Sequence, residues 1–237
     1  MIYKIYFFIL LSFFSTNFTK EKAINTTKHE VVFYLAENNL VSKTEQKLSL
    51  IEENSTTVPS LESFKVAFEG FQNLNSQNKL ENSILTIIDF SLSSNTKRLW
   101  VIDMNSNEVL FHTLVAHGMN SGQEFATNFS NKSQSYKSSL GFYLTAEIYI
   151  GKHGSSLKLD GIEKGINDNA RERAIVIHGA DYVSEAFAEN NGRLGRSQGC
   201  PALPSNLTSK IITKIKNKSV LFIYHPSRKS LVKGFVS

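Results

Sequence analysis

Cysteine is almost absent from this chain: its 237 residues hold one, Cys200. A single cysteine excludes an intramolecular disulfide and any zinc site built from several thiolates. The six histidines show no His-Glu-x-x-His or similar ligand spacing, so nothing points to a metal hydrolase and no metal or other cofactor is expected. No Arg-rich run or basic–aromatic stripe is present, which argues against nucleic acid as a partner. The net charge of +5, from 26 Lys and Arg against 21 Asp and Glu, is that of a soluble Lys-rich protein and is compatible with an acidic polymer partner. No internal repeat is visible. With 41% hydrophobic and 20% charged residues, the composition is ordinarily globular and excludes wholesale disorder.

No apolar run reaches the roughly 20 residues a membrane-spanning helix needs. The longest, Ile5 to Phe14, follows Lys4 and precedes Ser15-Thr16-Asn17, the layout of a secretory signal peptide over residues 1–20. Export to the periplasm or cell envelope follows. Removal of that segment takes away Lys4 and Lys20 and lowers the positive charge accordingly. Residues 21–58, rich in Lys, Glu, Asn, Ser and Thr with a short apolar patch at Val31 to Leu35, read as a polar, poorly ordered leader with some local structure.

Residues 59–230 read as the folded domain. Phe64, Ala67, Phe68, Phe71 and Leu74 recur at helical spacing behind the cap candidates Ser60 and Ser63. Strand patterns follow at 84–90, 98–103, 108–115, 141–145, 174–178 and 219–224, with Asn105-Ser106-Asn107 as a hairpin turn. Helical signal otherwise appears only near 181–190 and 204–217. The unit is mainly β with a helix before it.

An exported chain that keeps one unpaired thiol has either buried it as an inert side chain or retained it for its reactivity. Cys200 sits in Gly195-Arg196-Ser197-Gln198-Gly199-Cys200-Pro201, a polar, glycine-flanked setting unlike a core position. Glycines let the main chain turn its N–H groups toward one point, as an oxyanion hole beside a nucleophile requires, and Gly199 and Cys200 are the candidate donors. Ser197 either bonds near the reacting atoms or supports the turn. A thiol with an ordinary pKa of about 8.5 also needs a base. His178, ending the apolar run 174–177 and followed by Gly179, is the candidate. His117 in Ala-His-Gly, Arg196, Tyr143 and Gly179 are candidate substrate contacts. His153 and Gly154, in a glycine-flanked loop, and Tyr149 and Tyr182 are weaker ones.

His178-Gly179 with Ser197-Gln198-Gly199-Cys200 resembles the His-Gly … Ser-x-Gly-Cys signature of the L,D-transpeptidase (YkuD-like) family. Ser139-Leu140-Gly141-Phe142-Tyr143 resembles the family's preceding Pro-x-Gly-x-Phe strand. Ile88-Asp89-Phe90-Ser91, Val115-Ala116-His117-Gly118 and Ala174 through Ala180 resemble its murein L,D-transpeptidase catalytic domain branch, and the likeness spans about residues 60–226. The resemblance implies a mixed β-sandwich or barrel with a packed N-terminal helix and short peripheral helices. It implies peptidoglycan stem peptides as substrate, a Cys200 thioester, release of D-Ala and a 3→3 cross-link. It also implies a backbone carbonyl that orients the His178 ring. Water as acceptor would make an L,D-carboxypeptidase. One departure stands out: Pro201-Ala202 occupies the place where most of the wider family has an aliphatic residue and Arg. Arg196 and Arg193 are the candidates to replace that Arg, and the departure keeps open a non-catalytic wall-binding module.

Overall fold

The apolar runs are short, rich in Val, Ile, Leu and Phe, and separated by polar turn formers, which favours strands. The computed structural model describes residues 43–228. One sheet contains β1 (Ile84–Asp89), β2 (Leu99–Asp103), β3 (Glu108–Thr113), β4 (Gly141–Gly151), β5 (Gly154–Gly161), β6 (Val176–Ala180), β7 (Ala202–Pro204) and β8 (Val220–Tyr224). Their order is β3-β2-β1-β8-β4-β5-β6-β7. The β1–β8 and β6–β7 pairs are parallel and the others antiparallel. Beyond β3, Ala116 reaches β7: its N–H donates to Ala202 O at 2.9 Å and Ala202 N–H returns a bond at 3.3 Å. This contact brings the two edges together, so the sheet is a nearly closed barrel without a long exposed edge. With α1 (residues 43–54), α2 (Leu61–Ser76), α3 (Glu185–Asn191) and α4 (Ser205–Ile215), the described residues form the mainly β architecture the sequence implies. None of these helices is long and apolar enough to cross a membrane.

The pleat divides the core in two. On β1, Ile84 and Ile88 face inward with Leu99, Val101, Leu221 and Ile223. Their neighbours Leu85 and Ile87 face outward with Trp100, Ile102, Val220 and Phe222, where α2 covers them with Phe64, Phe68, Phe71 and Leu74. Alternating faces that are both buried explain why these strands read as continuous apolar runs. Each enclosed aliphatic or aromatic side chain contributes about 1.5–3 kcal/mol. Ser60 caps α2, its Oγ accepting Ser63 N–H at 3.3 Å.

The structure adds three features to the sequence reading. The signal segment and residues 21–42 lie outside the described residues. In the rest of the expected leader, residues 43–54 are helical, with Thr44, Leu48 and Ile51 buried. That stripe has helical spacing but only two apolar members on a polar background, too weak a pattern to stand out. β4 runs on to Gly151 and pairs with β5, whose sequence Gly-Ser-Ser-Leu-Lys-Leu-Asp-Gly is mostly polar. β7 is three residues long, and its existence depends on the parallel partner β6.

Candidate active site

The parallel register of β6 and β7 sets His178 opposite Ala202. Two residues back along each segment, Val176 lies beside Cys200, and Val176 N–H donates to Cys200 Sγ at 3.5 Å. The Cys200 thiol in turn donates to Ala174 O at 3.7 Å. Pro201 favours this arrangement, since the residue before a proline is held in extended conformations. Ala174 has a left-handed φ of 53°, which turns the chain just ahead of β6. The free thiol is half-buried.

The turn before Cys200 is tied from several sides. Ser197 Oγ donates to Cys200 O at 2.6 Å and accepts Gly199 N–H at 3.0 Å. Ser138 Oγ donates to Gly199 O at 3.2 Å and accepts Gly118 N–H at 3.0 Å. Gly199, at φ 121°, is a true glycine position, since a Cβ there would meet Lys137 O at 2.9 Å. Ser197 therefore supports the turn. Of the two expected oxyanion donors, Gly199 N–H is already occupied by Ser197, and Cys200 N–H is the one left without such a bond.

His178 is buried, with Nδ1 at 2.9 Å from Gly179 O. A carbonyl only accepts, so Nδ1 carries the proton and the lone pair is on Nε2. A backbone carbonyl is the orienting group that the resemblance implies. His153, from the turn between β4 and β5, stacks on the ring with centroids 4.4 Å apart and planes 21° apart. Burial holds His178 below the usual imidazole value; the Gly179 bond opposes this, while His153 and Lys152 add to it. Burial pushes the Cys200 thiol up, against the Val176 N–H and the charge of Arg173. At neutral pH the pair therefore rests as thiol and neutral imidazole. His178 lies on β6 and Cys200 just ahead of β7, and no hydrogen bond joins the two side chains; such contacts commonly tighten only when substrate is bound.

The remaining expected contacts are placed differently. Tyr143 is fully enclosed, its hydroxyl donating to Ser139 O at 3.0 Å. His117 is also buried: Arg98 Nη2 donates to its Nδ1 at 2.8 Å, and Nε2 faces Gly122 O at 3.3 Å. Its carbonyl accepts Ser197 N–H at 3.0 Å, so it braces the Cys200 turn from behind. Neither side chain is exposed to a substrate, because strand alternation and loop packing turn both inward. Gly179 packs against α4, where a Cβ would meet Thr208 Oγ1 at 2.9 Å. Arg196 bonds Met119 O and Gly122 O, each at 3.2 Å, and Arg193 bonds Leu194 O at 2.8 Å. Tyr182 packs on Gly195, and burial and the nearby thiol push its hydroxyl up to about 12. The sequence reading missed Ser138 and Arg173, because their roles depend on loops that only the closed barrel juxtaposes.

The fold and the site describe a β-barrel domain with a thiol and an imidazole on adjacent parallel segments. The chain belongs to the L,D-transpeptidase catalytic domain family, whose sequence model matches residues 55–224. No curated protein matches it in sequence. Among solved structures it is similar to an L,D-transpeptidase from Mycobacterium smegmatis, at 11% identity and a TM-score of 0.37, with 61% of this chain and 59% of that one covered. It is also similar to the helical cell shape determining protein Pgp2 from Campylobacter jejuni, at 14% identity and a TM-score of 0.40, with 68% and 56% covered. The alignments thus span little more than half the length of those chains.

Proposed function

We propose that this protein is an exported peptidoglycan L,D-transpeptidase in which Cys200 is the nucleophile and His178 the general base. Membership of the family supports the substrate class. The observation that carries the assignment to residues is the pairing of β6 with β7, which sets the chain's single thiol on the segment beside His178, whose ring is fixed by Gly179 O.

In the proposed reaction His178 Nε2 takes the thiol proton as Sγ attacks the carbonyl of the L-centre of the stem peptide's third residue. Cys200 N–H donates to the developing oxyanion. Collapse breaks the amide bond, and His178 returns the proton to the departing D-Ala amine. The thioester is then attacked by a side-chain amine of a neighbouring stem. His178 takes that proton, and the thiol is regenerated with a 3→3 link formed. Both half-reactions exchange one acyl bond for another, so the scheme calls for no metal and no nucleotide.

The test is mass spectrometry of products from purified protein and stem peptides, with and without an acceptor stem. Wild type is expected to give the linked product, and Cys200→Ala to lose it, by at least about 10³-fold for a nucleophile, while its melting temperature stays close to wild type. Unchanged product from Cys200→Ala overturns the assignment. A hydrolysed donor alone, with acceptor present, identifies an L,D-carboxypeptidase. A covalent carbapenem adduct on Cys200, detected by intact mass, would eliminate a non-catalytic wall-binding module.

A further inference from the structure

Arg173 lies in the turn ahead of β6, and every acceptor of its guanidinium is neutral. Nη1 donates to Ser130 O at 2.8 Å and to Ser139 Oγ; Nη2 donates to Lys137 O at 2.6 Å and Ser135 Oγ at 3.4 Å. Among the described residues it has no carboxylate partner. A half-buried cation without a counter-ion is costly, and such charges are usually paired.

Its surroundings point to the missing anion. The residue that follows, Ala174, supplies the carbonyl that receives the Cys200 thiol, and Val176 supplies the N–H that meets Sγ. Arg173 Nη2 lies 3.2 Å from where a Cβ on Gly199 would sit, so the guanidinium runs beside the residue preceding the nucleophile. Arg196 and Arg193, the cations closest to Cys200 in sequence, direct their guanidinium groups to the Met119, Gly122 and Leu194 carbonyls.

We infer that Arg173 is the positioning residue that supplies the fixed positive charge for the Cys200 thiolate, in place of the Arg missing from the Pro201-Ala202 position. The inference rests on Cys200 being the nucleophile. The other ionisable groups facing the site are His178 on β6, Lys152 and His153 from the turn between β4 and β5, and Tyr182 after β6. His178 and Tyr182 are neutral at working pH. Lys152 acts on His178, whereas the charge of Arg173 reaches the thiol and opposes the burial that holds it protonated. The same guanidinium clasps residues 130–139 against the nucleophile's turn, so the charge is held in place before substrate arrives.

Because Cys200 is the chain's single cysteine, its ionisation can be read directly from the pH dependence of iodoacetamide alkylation, followed by intact mass. Arg173→Met should raise the alkylation midpoint by about one pH unit, which is about tenfold slower labelling below the midpoint. Arg173→Lys, which keeps the charge but not the fork, should stay close to wild type. A purely structural clasp would shift both variants alike, and that result overturns the inference, as does an unchanged midpoint in Arg173→Met. Should Arg173→Met not fold, Ser135→Asp, which sets a carboxylate against the intact guanidinium, should raise the midpoint; no change there also overturns it. Alkylation needs no wall substrate. An Arg-dependent thiol without acyl transfer would refute the proposed reaction alone, and acyl transfer with an Arg-independent thiol would refute this inference alone.

Discussion

Individual side chains around Cys200 include some that line its surroundings and some that brace its turn from behind. His117 belongs to the second kind. Burial, with Arg98 close by, pushes it down to about 4, while the Gly122 carbonyl opposes that shift. The unfolded chain therefore binds a proton near pH 6.5 that the folded chain refuses until about pH 4. The stability from keeping His117 neutral is complete above pH 6.5 and is lost as pH falls from there toward 4. It amounts to about 3 kcal/mol. His117→Gln can keep both an acceptor for Arg98 and a donor for Gly122 without titrating. Urea denaturation between pH 7 and 4 should show wild type losing more stability than this variant, by up to that amount. A parallel decline in both proteins would contradict it. His117 also shows what a motif does not reveal: Ala-His-Gly is plainly readable in the sequence, but whether its ring faces the cleft or Arg98 depends on a residue 19 positions away.

At the scale of elements, α2 and β4 meet through one missing side chain. Gly70 lies in the middle of α2, and a Cβ there would fall 2.1 Å from Phe142 Cζ. Phe142 cannot retreat, since it is buried and stacks on Phe222 at 4.3 Å. Gly70→Ala gains about 1 kcal/mol of helix propensity but overpacks this contact. The expected outcome is net destabilisation of up to about 2 kcal/mol in equilibrium urea unfolding. A stabilised variant would show that the helix can shift outward. The elements that are legible in the sequence are those with strong local periodicity: α2, β1, β2 and β8. β5 and β7 are not, because a strand with polar alternation or only three residues exists by virtue of the neighbour that completes its hydrogen bonds.

Across the whole molecule, the end of the described chain is anchored to the sheet by charge. Arg228, after β8, pairs with Glu163, and both side chains are nearly inaccessible, at 6% and 5%. Glu163 also accepts Phe142 N–H at 2.6 Å, and the guanidinium lies over the rings of Phe142 and Phe222. Burial pushes Glu163 up, with the Arg228 charge opposing it. Among the described residues Arg228 Nε and Nη1 have no hydrogen-bond acceptor, so the loss of Glu163 is not compensated. Glu163→Gln should cost about 3–5 kcal/mol, read as a lowered thermal midpoint. A loss below about 1 kcal/mol would mean that the pair contributes no more than a surface ion pair.

The sequence by itself determined the β-rich class, the covering helix and the candidate pair Cys200 and His178. Those properties are written in local composition, and a lone thiol among glycines stands out without any partner. Only the tertiary structure decided what surrounds that thiol. Ser138 and Arg173 reach the turn at Gly199, and Tyr143 and His117 turn inward, because barrel closure and the β6–β7 register juxtapose segments far apart in the chain. No local pattern encodes a contact whose other half lies on a different strand.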